Sequence, residues 1–235
     1  MKRYNRKFTP MYQVLKPVKG ERFAIEHIVA TEGDVHLLKM RSLVNGDMEY
    51  ANFVPGVYTK LIDNEEHEIV MSDTPMERDT NREFMLRANG DVLIAGLGIG
   101  MLLYPLMKAK EVKSITVVEK YQEVYDLVKL AGFPFSKKVE VKVMDIFDFR
   151  ARTRKWDCIW FDIWNGIGGD NYAGMKKLHR QFAWMVNRAN PDCYIESWRR
   201  DKMRRDQLRY EKWEKMSDPM QKRMEAMKML QDHVC

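Results

Sequence analysis

The 235-residue chain has three cysteines, Cys158, Cys193 and Cys235, in no C-x-x-C spacing. That odd, scattered set suggests neither a disulfide framework nor a zinc site, and a reducing compartment fits it best. The five histidines, His27, His36, His67, His179 and His233, show no H-x-x-x-H or His/Cys pattern, so no metal is assigned. Long apolar runs are also missing. Nothing approaches the roughly 18 uncharged residues that span a bilayer, and the start, MKRYNRKFTPMYQ, has no apolar core of a signal peptide. The expectation is a soluble, cytoplasmic protein with no membrane contact. What is present, 45% hydrophobic and 31% charged residues, is enough for a core and too apolar for intrinsic disorder. The length allows one full domain with an appendage.

Charge is uneven along the chain. Residues 1–20 hold six Lys/Arg and no acid, and residues 198–235 hold eleven Lys/Arg against seven acids. These ends contribute +6 and +4 of a net +6, which leaves −4 for the 177 residues between them. Any polyanion contact, nucleic acid included, would therefore involve the termini, unless the basic ends simply face water.

Residues 1–20 read as an extended basic arm, since Pro10 and Pro17 oppose regular structure. Residues 21–72 read as a small β-rich appendage of four runs, FAIEHIVA, VHLLKM, VYTKLI and HEIVMS, broken by Glu32-Gly33-Asp34, Asn45-Gly46-Asp47 and Asp63-Asn64. In SDTPMERDTNREFMLRANG, Pro75 suits a first helical turn, Asp73 or Thr74 a cap, and Gly90 a stop. Strands then alternate with helices: DVLIAG (91–96), helix 99–110, SITVVE (114–119), helix 121–131, VEVKVM (139–144), DCIWFDI (157–163), helix 172–190 and CYIESW (193–198). Apolar strands separated by helices argue for an α/β fold with a parallel sheet covered on both faces. Residues 199–235 read as a basic helical tail. There Met216, Met220, Met224 and Met227 share one helical face, interrupted by Pro219, that would pack on the body or on a second subunit of a homo-oligomer.

The chemistry is expected at the ends of the strands. A buried strand runs into Gly96-Leu97-Gly98-Ile99-Gly100 and then a helix, which lets a nucleotide or nucleoside approach the backbone. The spacing is G-x-G-x-G and lacks the G-x-G-x-x-G of dinucleotide binders. Glu119 closes the second strand 23 residues after Gly96, where a carboxylate can accept both hydroxyl protons of a ribose; Lys120 stands beside it. Asp145 follows the third strand, placed to accept from an adenine amino group while Ile146 packs on the ring; Asp148 suits a cap.

This series of glycines, Glu and Asp resembles the class I S-adenosylmethionine-dependent methyltransferases over residues 70–198. The resemblance implies a Rossmann-like sheet from 73 to 198 and S-adenosylmethionine as cofactor. Within that superfamily it is most similar to the spermidine synthase (polyamine aminopropyltransferase) branch, by the β-prone region ahead of Ser72-Asp73-Thr74-Pro75-Met76-Glu77-Arg78-Asp79, by Ile94, by DIFDF at 145–149, and by Asp162-Ile163-Trp164-Asn165 where the branch has D-S-S-D. The chain departs from it at Ile99 and Asn165, where the branch has acids, in GIGGDNYAGM in place of a proline-rich gate, and in having no strand after CYIESW.

Asp162, ending the fourth strand, could orient an attacking amine or take its proton, or cap the turn in DIWNG. Asn165 joins it as a catalytic candidate. Trp164 could stack on a planar acceptor or serve as a lid or core residue. Asp170 and Asn171 suit helix caps. Asp73, Thr74 and Glu77 are substrate-binding candidates through the resemblance. Three readings follow: a methyltransferase acting on a small-molecule or nucleic-acid acceptor, an aminopropyltransferase using the decarboxylated cofactor, and a nucleic-acid-binding protein whose crevice is vestigial.

Overall fold

A computed structural model describes residues 2–45, 50–151, 153–166, 168–216 and 218–233. Strands β1 (Val18–Lys19), β2 (Phe23–Ala30), β3 (Gly56–Asp63) and β4 (Glu68–Ser72) form an antiparallel sheet in that order, with helix α1 (Glu32–Asn45) inserted between β2 and β3. Helix α2 (Pro75–Arg87) leads into β5 (Gly90–Ala95), followed by α3 (Leu103–Lys108), β6 (Val112–Glu119), α4 (Gln122–Leu130), β7 (Val139–Val143), β8 (Cys158–Phe161), α5 (Gly169–Phe182) and β9 (Tyr194–Ser197). Helices α6 (Arg200–Glu214) and α7 (Pro219–His233) complete the chain. Among the described residues no helix is long and apolar enough to cross a membrane.

The second sheet is parallel, in the order β7-β6-β5-β8-β9. Its middle strand shows why. Val92 and Ile94 belong to one core with α2, α3 and α4, while Leu93 and Ala95 belong to the other with α5, and all four are buried. An apolar run buried on both faces needs helices on both sides, the α/β arrangement expected from the sequence. With the first strand central and the order reversing beside it, the sheet is doubly wound and Rossmann-like, and its crevice opens at the carboxyl edge.

Four expectations are corrected. VHLLKM is not a strand but part of α1. Thr31 and Asp34 close a reciprocal cap, the Asp34 carboxylate accepting the Thr31 N–H at 2.8 Å while Thr31 Oγ1 accepts the Asp34 N–H at 3.3 Å, so the Glu-Gly-Asp turn signal is a first helical turn. The arm is anchored to the body, although Lys2, Arg3, Lys7, Lys16 and Lys19 face solvent. Met11 and Leu15 enter the core, and Arg6 donates to the carbonyls of Met85 and Ala88 at the end of α2 and to Glu111. The third and fifth helices are shorter than their periodicity implied, α3 because residues 97–102 form the glycine turn, and α5 because a 3-10 turn takes over at Ala183–Met185. Of the methionine face of the tail, Met220, Met224 and Met227 are exposed on α7, which Pro219 starts afresh, so among the described residues they do not pack on the body of the same chain.

Candidate functional site

A cavity of about 570 Å³ lies between the carboxyl edge of the parallel sheet and the antiparallel sheet. The latter forms a roof through Phe23, Leu61 and Met71. Two carboxylates fasten that roof. Glu123 of α4 accepts the backbone N–H groups of Arg22 and Phe23, and Asp63 accepts two bonds from the Arg22 guanidinium, which lies over the Tyr121 ring.

The glycine turn forms the floor. Gly96 and Gly98 take φ of 94° and 51°, the left-handed region that favours glycine. A side chain at Gly96 would strike the Asp162 carbonyl, and one at Gly98 would strike Met71 of the roof. Both line the cavity. Gly100 does not; its neighbour is the Phe133 ring, a packing reason for glycine there.

Glu119 is buried at the end of β6 and lines the cavity. One of its oxygens accepts the Leu97 N–H at 2.8 Å and the other the Tyr121 N–H at 2.9 Å, so it ties the glycine turn to the strand end while keeping lone pairs free for a ligand. Desolvation raises its pKa against those backbone bonds. Next along the edge, Asp145 accepts the Phe147 N–H, with Lys120 3.9 Å from its other oxygen, and the buried Ile146 lines the cavity beside it.

Asp162 closes β8, its N–H extending the ladder to Ala95. Its carboxyl lies against the Trp160 indole and the Asn81 amide, and burial pushes its pKa up to about 7 although those hydrogen bonds oppose the shift. The Asn81 side chain is fixed in turn: its Nδ2 donates to the Glu77 carbonyl and its Oδ1 accepts the Trp160 indole N–H. Glu77, Asn165 and Trp198 complete this end of the cavity, with Trp198 donating to Thr80 at 3.0 Å. Trp164 lies against Gly174 of α5, which Phe147 also touches, so it flanks the Asp145 side.

Asp73 and Thr74 fall outside the cavity. The Asp73 carboxylate is fully buried and committed to the Met11 N–H at 2.6 Å, the Thr59 N–H at 2.7 Å and Arg78 at 2.9 Å, which ties together the arm, β3 and α2; Thr74 pairs with Ser72. Sequence reasoning missed Asn81, Trp160, Trp198 and Met71. Two of them had a usable signal, since Asn81 is one helical turn after Glu77 and Trp160 is two residues before Asp162 on the same strand face.

No family model matches the chain, and no curated protein does. Solved structures similar to it include several methyltransferases. The N-methyltransferase NodS from Bradyrhizobium japonicum in complex with S-adenosyl-L-homocysteine is 17% identical over 48% of this chain and 58% of that one, with a TM-score of 0.37. The CcbJ methyltransferase from Streptomyces caelestis is 18% identical over 45% and 41%, with a TM-score of 0.35. An S-adenosylmethionine-dependent methyltransferase from Clostridium acetobutylicum is 20% identical over 46% and 44%, with a TM-score of 0.33. The chain thus spans less than two thirds of the length of each.

Proposed function

We propose that the protein is an S-adenosylmethionine-dependent methyltransferase of spermidine synthase-like architecture that acts on a small amine. The observation carrying this reading is that four successive strand ends, Gly96 to Gly98, Glu119, Asp145 and Asp162, line one roofed cavity. Its volume lies within the roughly 300–1,000 Å³ of small-molecule sites. The residues fit the cofactor: the glycines leave room that a Cβ would fill, Glu119 offers acceptors for ribose hydroxyls, and Asp145 and Ile146 suit adenine. When bound, S-adenosylmethionine supplies an activated methyl group.

The acceptor follows from the walls. Six carboxylates, Asp63, Glu66, Glu77, Glu119, Asp145 and Asp162, face two cations, Arg22 and Lys120. Such a cavity favours a cationic ligand, and the roof favours a small one. An ammonium must lose a proton before its nitrogen has a lone pair to attack with. Asp162, titrating near neutrality, takes that proton on its carboxylate, while Asn81 and Trp160 hold the group in place and Asn165 hydrogen-bonds the acceptor. In a screen of amines with labelled cofactor, wild type should transfer label and Asp162→Ala should bind cofactor without turnover. Undiminished transfer by Asp162→Ala would remove its role.

A second reading, aminopropyl transfer from the decarboxylated cofactor, is favoured by one observation. Both cavity cations are engaged, Arg22 with Asp63 at 2.6 Å and Lys120 near Asp145, so neither is left for the cofactor's carboxylate. Comparing turnover with the two cofactors separates the readings. The nucleic-acid reading rests on the exposed arm cations Lys2, Lys7, Lys16 and Lys19, with Arg3 paired to Glu83 and Arg6 buried, and on the cations of residues 199–228. DNA or RNA binding that is absent or insensitive to salt would dispose of it.

A further inference from the structure

Helix α1 presents two apolar faces, and among the described residues only one has a partner. Val35 and Leu38 pack on the small core of Ala30, Phe53 and Tyr58, and Ser42 on the same face is buried. On the opposite side Leu37 and Val44 are 69% and 82% exposed, and Met40 and Leu43 beside them are exposed as well. These four large apolar side chains, exposing on the order of 100 Å² each, make a patch within the ~300–600 Å² found on monomers. With the charges around them they approach the ~800 Å² that each partner of a stable complex buries.

Those charges indicate what covers the patch. Residues seven apart share a flank of a helix. Asp34 and Arg41 make one such pair beside the stripe of Leu37, Met40 and Val44, and Glu32 and Lys39 make another on its far side. On each flank the acid precedes the base. Two copies of α1 packed antiparallel about a two-fold axis therefore set each acid against a base of the other copy, whereas parallel packing would set like against like. We propose that the outer face of α1 is the interface of a two-fold symmetric homodimer, the occupant being α1 of a second copy. The β2–β3 pair separates this face from the cavity: Phe23 and Asp63 pair at the cavity end and Ala30 and Gly56 at the α1 end, seven residues and about 23 Å apart. Dimerisation here leaves both crevices open.

Analytical ultracentrifugation of the full chain at micromolar concentration tests this directly. Wild type should sediment at twice the 27.9 kDa chain mass, and Leu37→Asp with Val44→Asp at the mass of one chain, with unchanged circular dichroism. A charge swap provides the second handle. Glu32→Lys with Asp34→Lys, and Lys39→Glu with Arg41→Glu, should each weaken self-association at least tenfold and should pair with one another when mixed. A monomeric wild type overturns the proposal, as does a dimer that survives the α1 variants, or one dissolved instead by Met224→Asp on α7.

Discussion

Replacing Asp162 by Asn should stabilise the protein while abolishing turnover. The unfolded carboxyl titrates near 3.8 and the folded one near 7. Between those values the folded chain holds a proton that the unfolded chain has released, so this group's contribution to stability is fully present below pH 4 and is lost as pH rises through 7. A shift of about three pKa units corresponds to roughly 4 kcal/mol at most. The carboxylate's bonds from Asn81 and Trp160 are weaker to a neutral amide, so a net gain of about 1–3 kcal/mol is expected at pH 8. That raises the melting temperature by roughly 2–10 °C for a chain of this size. Thermal unfolding of both proteins at pH 8 and pH 4 measures the difference, which should shrink to near zero at the lower pH. A variant no more stable than wild type at pH 8, or a difference independent of pH, would refute the buried-carboxylate account.

Three further outcomes are expected. Asp73→Ala leaves two buried backbone donors and the part-buried Arg78 guanidinium without their acceptor, and should cost about 3–5 kcal/mol in urea unfolding; a loss under 1 kcal/mol would deny the tie between arm, β3 and α2. His179, bonded to Ser197 and held near pKa 4 by burial and then by Arg200, is neutral when folded but protonates below 6.5 when unfolded. In the Asp162→Asn background stability should therefore fall as pH drops from 6.5 towards 4, by up to about 1.4 kcal/mol per pH unit, and His179→Gln should flatten that slope. Gly98→Val, which meets Met71 of the roof, should abolish cofactor binding in calorimetry; binding as tight as wild type would mean that the floor is not where ligand sits.

The parallel sheet was legible because its strands are buried on both faces and read as unbroken apolar runs, Val92 to Ala95 foremost. Their ends could then be read off in turn, which brought Gly96, Glu119, Asp145 and Asp162 to one edge before any geometry was known. The residues misread were those whose partners are distant in sequence. Locally Asp73 looks like a helix cap, yet it is claimed by Met11, 62 residues away, and by Thr59. Arg6 looks like a solvated charge, yet it reaches carbonyls about 80 residues on. Asn81 meets Trp160 across 79 residues. Helix α1 escaped notice for a different reason: with apolar residues on its outer face as well as its inner one, VHLLKM carries little helical periodicity.

The most direct measurement is an isothermal titration of the full chain with S-adenosylmethionine, repeated on Glu119→Gln. The account predicts one saturable site per chain, weakened at least tenfold by the substitution in a protein whose circular dichroism is unchanged. No heat with either S-adenosylmethionine or its decarboxylated form, or binding that Glu119→Gln leaves intact, would contradict it.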